Sequence, residues 1–267
     1  NELSPEIAKI ANKFFENNWI DAEIRNGKDS GAYSHPCVPD VHPYILMNYN
    51  GKSRDVMTLA HELGHGVHQV LASKNGYLLA DTPLTLAETA SVFGEMLVFQ
   101  KLLSKADSKQ EKNSMIAEKV EDMLNTVVRQ IAFHNFETSF HNKRKSNELT
   151  PDEISEIWME TQSQALGDAI NLDDSYKPLW SYIPHFVHTP FYVYAYAFGD
   201  CLVNSLWQVR LSGQSSFTES YINLLKSGGK KHHREALAPF GLDASDPEFW
   251  NIGLNTISSL IDELEAA

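Results

Sequence analysis

The stretch from Asp55 to Leu71 constrains this chain more than any other, because it reads as a helix carrying His61-Glu62-Leu63-Gly64-His65. Residues four apart lie one turn apart on the same helix face, so His61 and His65 can present two imidazoles to one metal ion. Glu62 sits about 100° round the helix from His61, where it reaches a water at that metal without being a ligand. This is the place for a general base. The alternative is a pair of ordinary histidines on a polar helix face. Val56, Leu59, Ala60, Leu63, Val67, Val70 and Leu71 weigh against it: they make the helix mostly apolar, so the histidines are expected to be buried and in need of partners.

Two protein ligands do not make a zinc site. Asn75-Gly76 ends the first helix and Thr82-Pro83 prepares a second, expected from about Leu84 to Leu103. It carries Glu88 and Glu95, seven apart and so on one face of a continuous helix. A carboxylate delivered from there completes a His-His-Glu set and leaves a fourth position open. The extended metzincin pattern would need Gly at 68 and His at 71, but the chain has His68 and Leu71, so the third ligand is expected to be a carboxylate. Before the metal helix, Pro43 to Tyr49 is the best strand in the sequence, closed by the turn signal Asn50-Gly51. It reads either as a plain core strand or as a sheet edge able to pair with an extended peptide.

Composition excludes several classes. A net charge of −13 argues against nucleic acid or an anionic membrane as partner. No apolar run approaches the length of a membrane span, and Asn1 to Pro5 carry no signal-peptide pattern. The start at Asn1 rather than Met suggests a truncated or processed chain. Cys37 and Cys201 allow one disulfide, but two cysteines in 267 residues favour a reducing compartment, the cytoplasm.

The rest reads as helical. A first helix is expected over Ile7 to Trp19, loop from Gly27 to Asp40 with a short extended piece at Gly31 to Ser34, and one long helix from Ser108 to His141. Thr150-Pro151-Asp152-Glu153 is a capping box opening a helix to about Ile170, followed by loop from Asn171 to Ser181. Helices over Thr218 to Lys226, around His233 to Leu237 and after Asp246 close the chain. His134 and His141 read as surface or interhelical residues, and His232 and His233 as solvated surface. From Ile183 to Gly199, His185 and His188 precede Tyr192, Tyr194 and Tyr196, putting several donors on a short segment, although such residues often sit half-buried in helical cores.

The chain resembles the catalytic half of the oligoendopeptidase F group, in the thimet oligopeptidase family of zinc peptidases. The matching pieces are Ser30 to Ser34, His42 to Tyr49, Thr58 to His68, Leu86 to Glu95, Arg129-Gln130, Phe136-Glu137, and Pro184-His185-Phe186 through Pro190 to Tyr196. The resemblance implies a mostly α, zincin-like catalytic domain over residues 1–267, with a small β-sheet before the metal helix, forming one side of a deep substrate channel. It implies one zinc ion held by His61, His65 and Glu88, with Glu62 as base. It implies an oligopeptide substrate bound by His185, and an oxyanion-stabilising tyrosine at Tyr192 or Tyr194. Relatives are roughly twice as long, with an N-terminal lobe as the other channel wall, and Val187 and His188 depart from their pattern. Glu95 or Asp81 is expected to orient a ligand imidazole.

Two other functions fit parts of the sequence. A zinc carboxypeptidase or dipeptidase would need a cation for the terminal carboxylate, with Arg129, Arg210 or Lys177 as candidates. A non-catalytic helical peptide-binding module would close its metal with four protein ligands, and His35, Cys37 and His42 offer a separate cluster in one loop.

Overall fold

Ser4 opens the first helix by accepting the Glu6 N–H at 3.1 Å, and Pro5 takes the first helical position, where its missing donor is harmless. This is α1 (Pro5–Glu16) of a computed structural model that describes residues 3–266; the chain start at Asn1 lies outside them. After α1 the chain forms β1 (Ile20–Asp21), β2 (Tyr33–His35) and β3 (Tyr44–Leu46), a three-stranded sheet in the order β1-β3-β2. Strand β1 runs parallel to β3 with Ile20 opposite Ile45, and β2 runs antiparallel with Ser34 opposite Ile45.

The sheet corrects one expectation. The Pro43 to Tyr49 strand is the central one, flanked on both sides, so it is not an edge for a peptide. Residues Ile20 and Asp21 are too few to announce themselves by alternation, yet they take up its second edge.

The metal helix is α2 (Ser53–Ala72), and a short turn of helix ends at Gly76, whose φ of 75° reverses the chain. The expected second helix is broken. It forms α3 (Leu84–Ala87) and α4 (Ser91–Leu103), with Glu88 at the break. The carbonyl freed there, on Thr89, accepts the hydroxyl of Tyr221 at 3.0 Å. The backbone acceptor at the break is thus met, while the buried Thr89 hydroxyl beside it has no partner.

The long Ser108 to His141 helix is likewise interrupted, into α5 (Lys109–Leu124) and α6 (Gln130–Arg144) around a π-turn at Asn125–Arg129. Thr150 and Glu153 form the expected capping box of α7 (Pro151–Leu166). Residues Asp174–Tyr182, read as loop, form 3₁₀ turns. A single turn α8 (His185–His188) leads to α9 (Tyr194–Leu211), then α10 (Phe217–Ser227), α11 (His233–Leu237) and α12 (Pro247–Glu265), capped by Asp246.

The main core lies where α2, α4 and α9 meet, with Phe14, Met47, Phe93, Met96, Leu202 and Leu206 buried in it. Glycines set the spacing. A Cβ on Gly64 would stand 2.3 Å from the Ala90 carbonyl oxygen, and one on Gly94 would stand 2.8 Å from that of Ala60. Helices α2 and α4 thus touch backbone to backbone, which brings the carboxylates of the second helix within reach of the imidazoles of the first. Cys37 is exposed and Cys201 buried, both as free thiols. No described helix is long and apolar enough to cross a membrane.

Candidate metal centre

On α2, His61 and His65 turn toward Glu88, which the break after α3 holds against them. His61 Nε2 and His65 Nε2 are 3.1 Å apart, and each lies 3.4 Å from Glu88 Oε2. Four ligands at about 2.05 Å around a tetrahedral zinc stand roughly 3.3 Å from one another. The three atoms therefore already have the spacing of a zinc triad. Among the described residues, they form the group of three His, Cys, Asp or Glu side chains able to hold a metal. The loop set His35, Cys37 and His42 does not converge: His35 Nδ1 accepts the Cys37 N–H, and His42 stacks on Trp19 at 4.0 Å.

The surroundings orient this group. His61 Nδ1 donates to Glu95 Oε1 at 2.5 Å, which leaves the Nε2 lone pair of a neutral ring facing the centre. Glu95 Oε2 in turn lies 3.8 Å from Lys119 Nζ, an ammonium only 6% exposed. Ser91 Oγ donates to Glu88 Oε2 at 2.7 Å. Burial works to raise the Glu88 carboxyl, but hydrogen bonding to His65 and the nearby imidazoles outweigh it and bring it down to about 2. Glu88 stays an anion, as a ligand must. Behind it, a Cβ on Gly199 would meet Glu88 Cβ at 2.7 Å, so α9 presses directly on the ligand's stem.

Glu62 is buried at 5% exposure, and its Oε2 has no hydrogen-bond partner. Burial raises its carboxyl above the usual range, partly offset by His61 and His65. A buried carboxylate oxygen without a partner is costly and marks a site that expects a proton or a ligand.

His185 Nε2 lies 3.2 Å from Tyr196 Oη, and the rings of His185, Tyr192 and Tyr196 pack together with centroids 5.1 to 5.8 Å apart. Burial, with the Glu88 charge nearby, pushes both phenols up, so both remain donors at neutral pH. Tyr194 instead packs on His134, with centroids 5.5 Å apart. Tyr194 opens α9 and points to α6, whereas Tyr192, in the turn before the helix, and Tyr196, within it, meet ring to ring at 5.1 Å. Val187 and His188 are exposed.

Beside His65 opens a cavity of about 410 Å³, walled by the loop from His35 to Pro43, by His68 and Gln69 of α2, and by Asp81 and Thr82. Asp81 thus lines a pocket, while Glu95 is the carboxylate that holds a ligand imidazole. Of the three candidate carboxylate-binding cations, Arg129 lies over Phe133, Arg210 over Trp207, and Lys177 beside Asp174 at 2.9 Å.

His68 carries a measurable consequence. Burial, and secondarily His65, lowers its imidazole from 6.5 to about 4, and Thr82 Oγ1 lies 3.2 Å from Nε2, where the hydroxyl donates to a neutral ring. The unfolded chain takes up this proton near pH 6.5 and the folded chain only near pH 4. Stability from this group is complete above the upper value and falls as the pH drops through the window. The expected loss approaches about 3 kcal/mol by the bottom of the window. Urea midpoints at several pH values read it, and His68→Gln should flatten the slope.

Two imidazoles one helical turn apart, a carboxylate from the next helix and an unpartnered glutamate beside them are the arrangement of the zinc metallopeptidases as a class. The chain belongs to peptidase family M3, whose model matches residues 5–256. Oligopeptidase PepF of Bacillus subtilis (strain 168) is 31% identical over 265 residues, covering 98% of this chain and 39% of the relative. A solved chain from Chlamydophila abortus superposes with a TM-score of 0.83 at 33% identity, over 99% of this chain and 44% of that one. Oligoendopeptidase-F from Enterococcus faecium does so with a TM-score of 0.66 at 25% identity, over 81% of this chain and 40% of that one. The chain spans about two fifths of the length of the curated relatives it matches. The mostly helical fold with a small sheet is that of the solved members.

Sequence reasoning did not assign Tyr196, Lys119, Ser91 or the glycines at 64 and 199. Tyr196 was legible in principle, since it stands in the same tyrosine-rich segment as Tyr192 and Tyr194; the others depend on which helices meet.

Proposed function

We propose that this chain is the metal-holding part of a zinc-dependent endopeptidase acting on oligopeptides, with residues 1–267 as one catalytic unit. The observation that carries the reading is the convergence of His61, His65 and Glu88 at zinc-ligand spacing beside the unpartnered Oε2 of Glu62. The names of the relatives, oligopeptidase and oligoendopeptidase F, support it.

Zinc held by these three residues would supply Lewis acidity, polarising the scissile carbonyl and easing the deprotonation of water. Glu62 Oε2 takes the proton of the attacking water and delivers it to the leaving amine. Its burial suits both halves of that role, because a raised carboxyl takes up and releases a proton nearer neutrality. His185, Tyr192 and Tyr196 form one group, with both phenols within reach of the Glu88 charge, and serve as hydrogen-bond donors for the developing oxyanion, a contribution worth about 3 kcal/mol per donor. Glu95, backed by Lys119, keeps the His61 ring in register. The cavity beside His65 takes a substrate side chain. The two free cysteines fit a reducing compartment such as the cytoplasm.

The test is an internally quenched oligopeptide blocked at both ends, assayed with and without a chelator beside elemental analysis for zinc. Chelator-sensitive cleavage at about one zinc per chain is expected. Cleavage that survives complete removal of metal would overturn the mechanism. Cleavage of unblocked peptides alone would point to an exopeptidase.

A further inference from the structure

The turn that brings Tyr192 to the metal group is held in a conformation its sequence does not favour. Phe191 has a φ of 61°, in the left-handed region where a Cβ is crowded and residues other than glycine seldom rest. Such a backbone persists only where its surroundings impose it.

The imposing group is on α6. Glu137 is 1% exposed, and its Oε1 accepts the Phe191 N–H at 2.9 Å. Its other oxygen, Oε2, is buried without a partner. A carboxylate buried on one hydrogen bond is a poor way to stabilise a fold, since an apolar side chain of similar volume would fill the space at less cost. What the carboxylate provides instead is a strong, directional acceptor for one amide. Two further residues on that face of α6, at helical spacing, grip the same segment. His134 packs on Tyr194, and His141 packs on Phe191 with centroids 4.8 Å apart. The peptide that follows Phe191 leads directly into Tyr192, whose ring stacks on His185.

We propose that Glu137 is a positioning residue: its buried carboxylate locks Phe191 in the left-handed turn and thereby sets Tyr192 beside His185 at the metal group. This rests on the endopeptidase reading, and the experiment separates the two.

Glu137→Met keeps volume and removes the acceptor. Misplacing a transition-state donor by about 1 Å costs up to roughly 100-fold, so kcat is expected to fall about 10- to 100-fold with KM within about twofold. Zinc affinity, read by chelator competition, should not change. Glu137→Gln retains a side-chain oxygen acceptor and should keep most of kcat. In a Tyr192→Phe background, Glu137→Met should add less than about a twofold loss, because both act through one hydroxyl. A merely structural role would multiply the losses in full, and that outcome, or an effect carried by KM or zinc affinity, overturns the proposal. Should Glu137→Met fail to fold, Phe191→Gly frees the same backbone while leaving Glu137 in place, at the loss of the ring contact with His141, and should show the same coupling to Tyr192→Phe. Amide exchange across residues 189–194 is read in parallel and should quicken at least about 10-fold in Glu137→Met or Phe191→Gly. Unchanged exchange overturns the anchor even if the wild type cleaves peptides. Faster exchange in a protein that cleaves nothing would overturn the enzymatic reading and leave the anchor standing.

Discussion

Glu62→Gln is expected to bind zinc as the wild type does and to lose hydrolysis by roughly 10²- to 10⁴-fold. The expectation follows from two observations that separate Glu62 from its neighbours. His61, His65 and Glu88 meet one another at 3.1 to 3.4 Å, whereas Glu62 Oε2 is buried with no partner. An amide keeps the shape of the side chain and its packing, so the metal triad is left intact. It cannot accept the proton of the attacking water. Quenched-peptide turnover and zinc stoichiometry, measured on one preparation, decide the matter. His61→Ala provides the contrast, because removing a ligand should take metal and activity together. Hydrolysis at the wild-type rate in a zinc-loaded Glu62→Gln protein would remove the general base from the mechanism.

The division between what was legible in the sequence and what was not follows the range of the interactions involved. His61, Glu62 and His65 are fixed by helical periodicity, and Thr150 with Glu153 by a capping rule, so both were readable locally. Glu88 was readable as a candidate, but the reason offered, a shared face with Glu95 on one continuous helix, does not hold. The helix breaks at Glu88, and both carboxylates still reach the centre, Glu88 from the break and Glu95 from α4. Nothing local forces that break. It depends on Tyr221, 132 positions later, meeting the freed Thr89 carbonyl, and on the close crossing of α2. The central place of β3 likewise depends on a two-residue partner that no alternation could reveal. The resemblance to a peptidase family crossed this gap, because it carried long-range placement that periodicity does not contain.

Gly64→Ala is expected to be the most damaging of the small substitutions, and its sign is the reverse of the helix rule. In an exposed helix interior, replacing Gly by Ala stabilises by about 1 kcal/mol. Here the new Cβ would stand 2.3 Å from Ala90 O and 2.6 Å from Ser91 Cα, both backbone atoms that cannot rotate away. Helix α4 must withdraw by about 1 Å to restore ordinary contact. Overpacking of this kind costs about 1–3 kcal/mol or more, which cancels or exceeds the propensity gain. The functional loss should be larger than the loss of stability. Ala90 lies two residues after Glu88, and Glu95 lies on α4 itself, so the withdrawal carries a ligand and the partner of His61 away from the imidazoles together. Zinc affinity is therefore expected to fall by about 10- to 100-fold, read by competition with a chromophoric chelator, with a lower melting temperature alongside. Gly31→Ala is the control: its Cβ would meet nothing within 4 Å, so its stability should stay within about 0.5 kcal/mol of wild type. If Gly64→Ala binds zinc as tightly as Gly31→Ala does, the backbone contact between α2 and α4 is not what sets the ligand spacing.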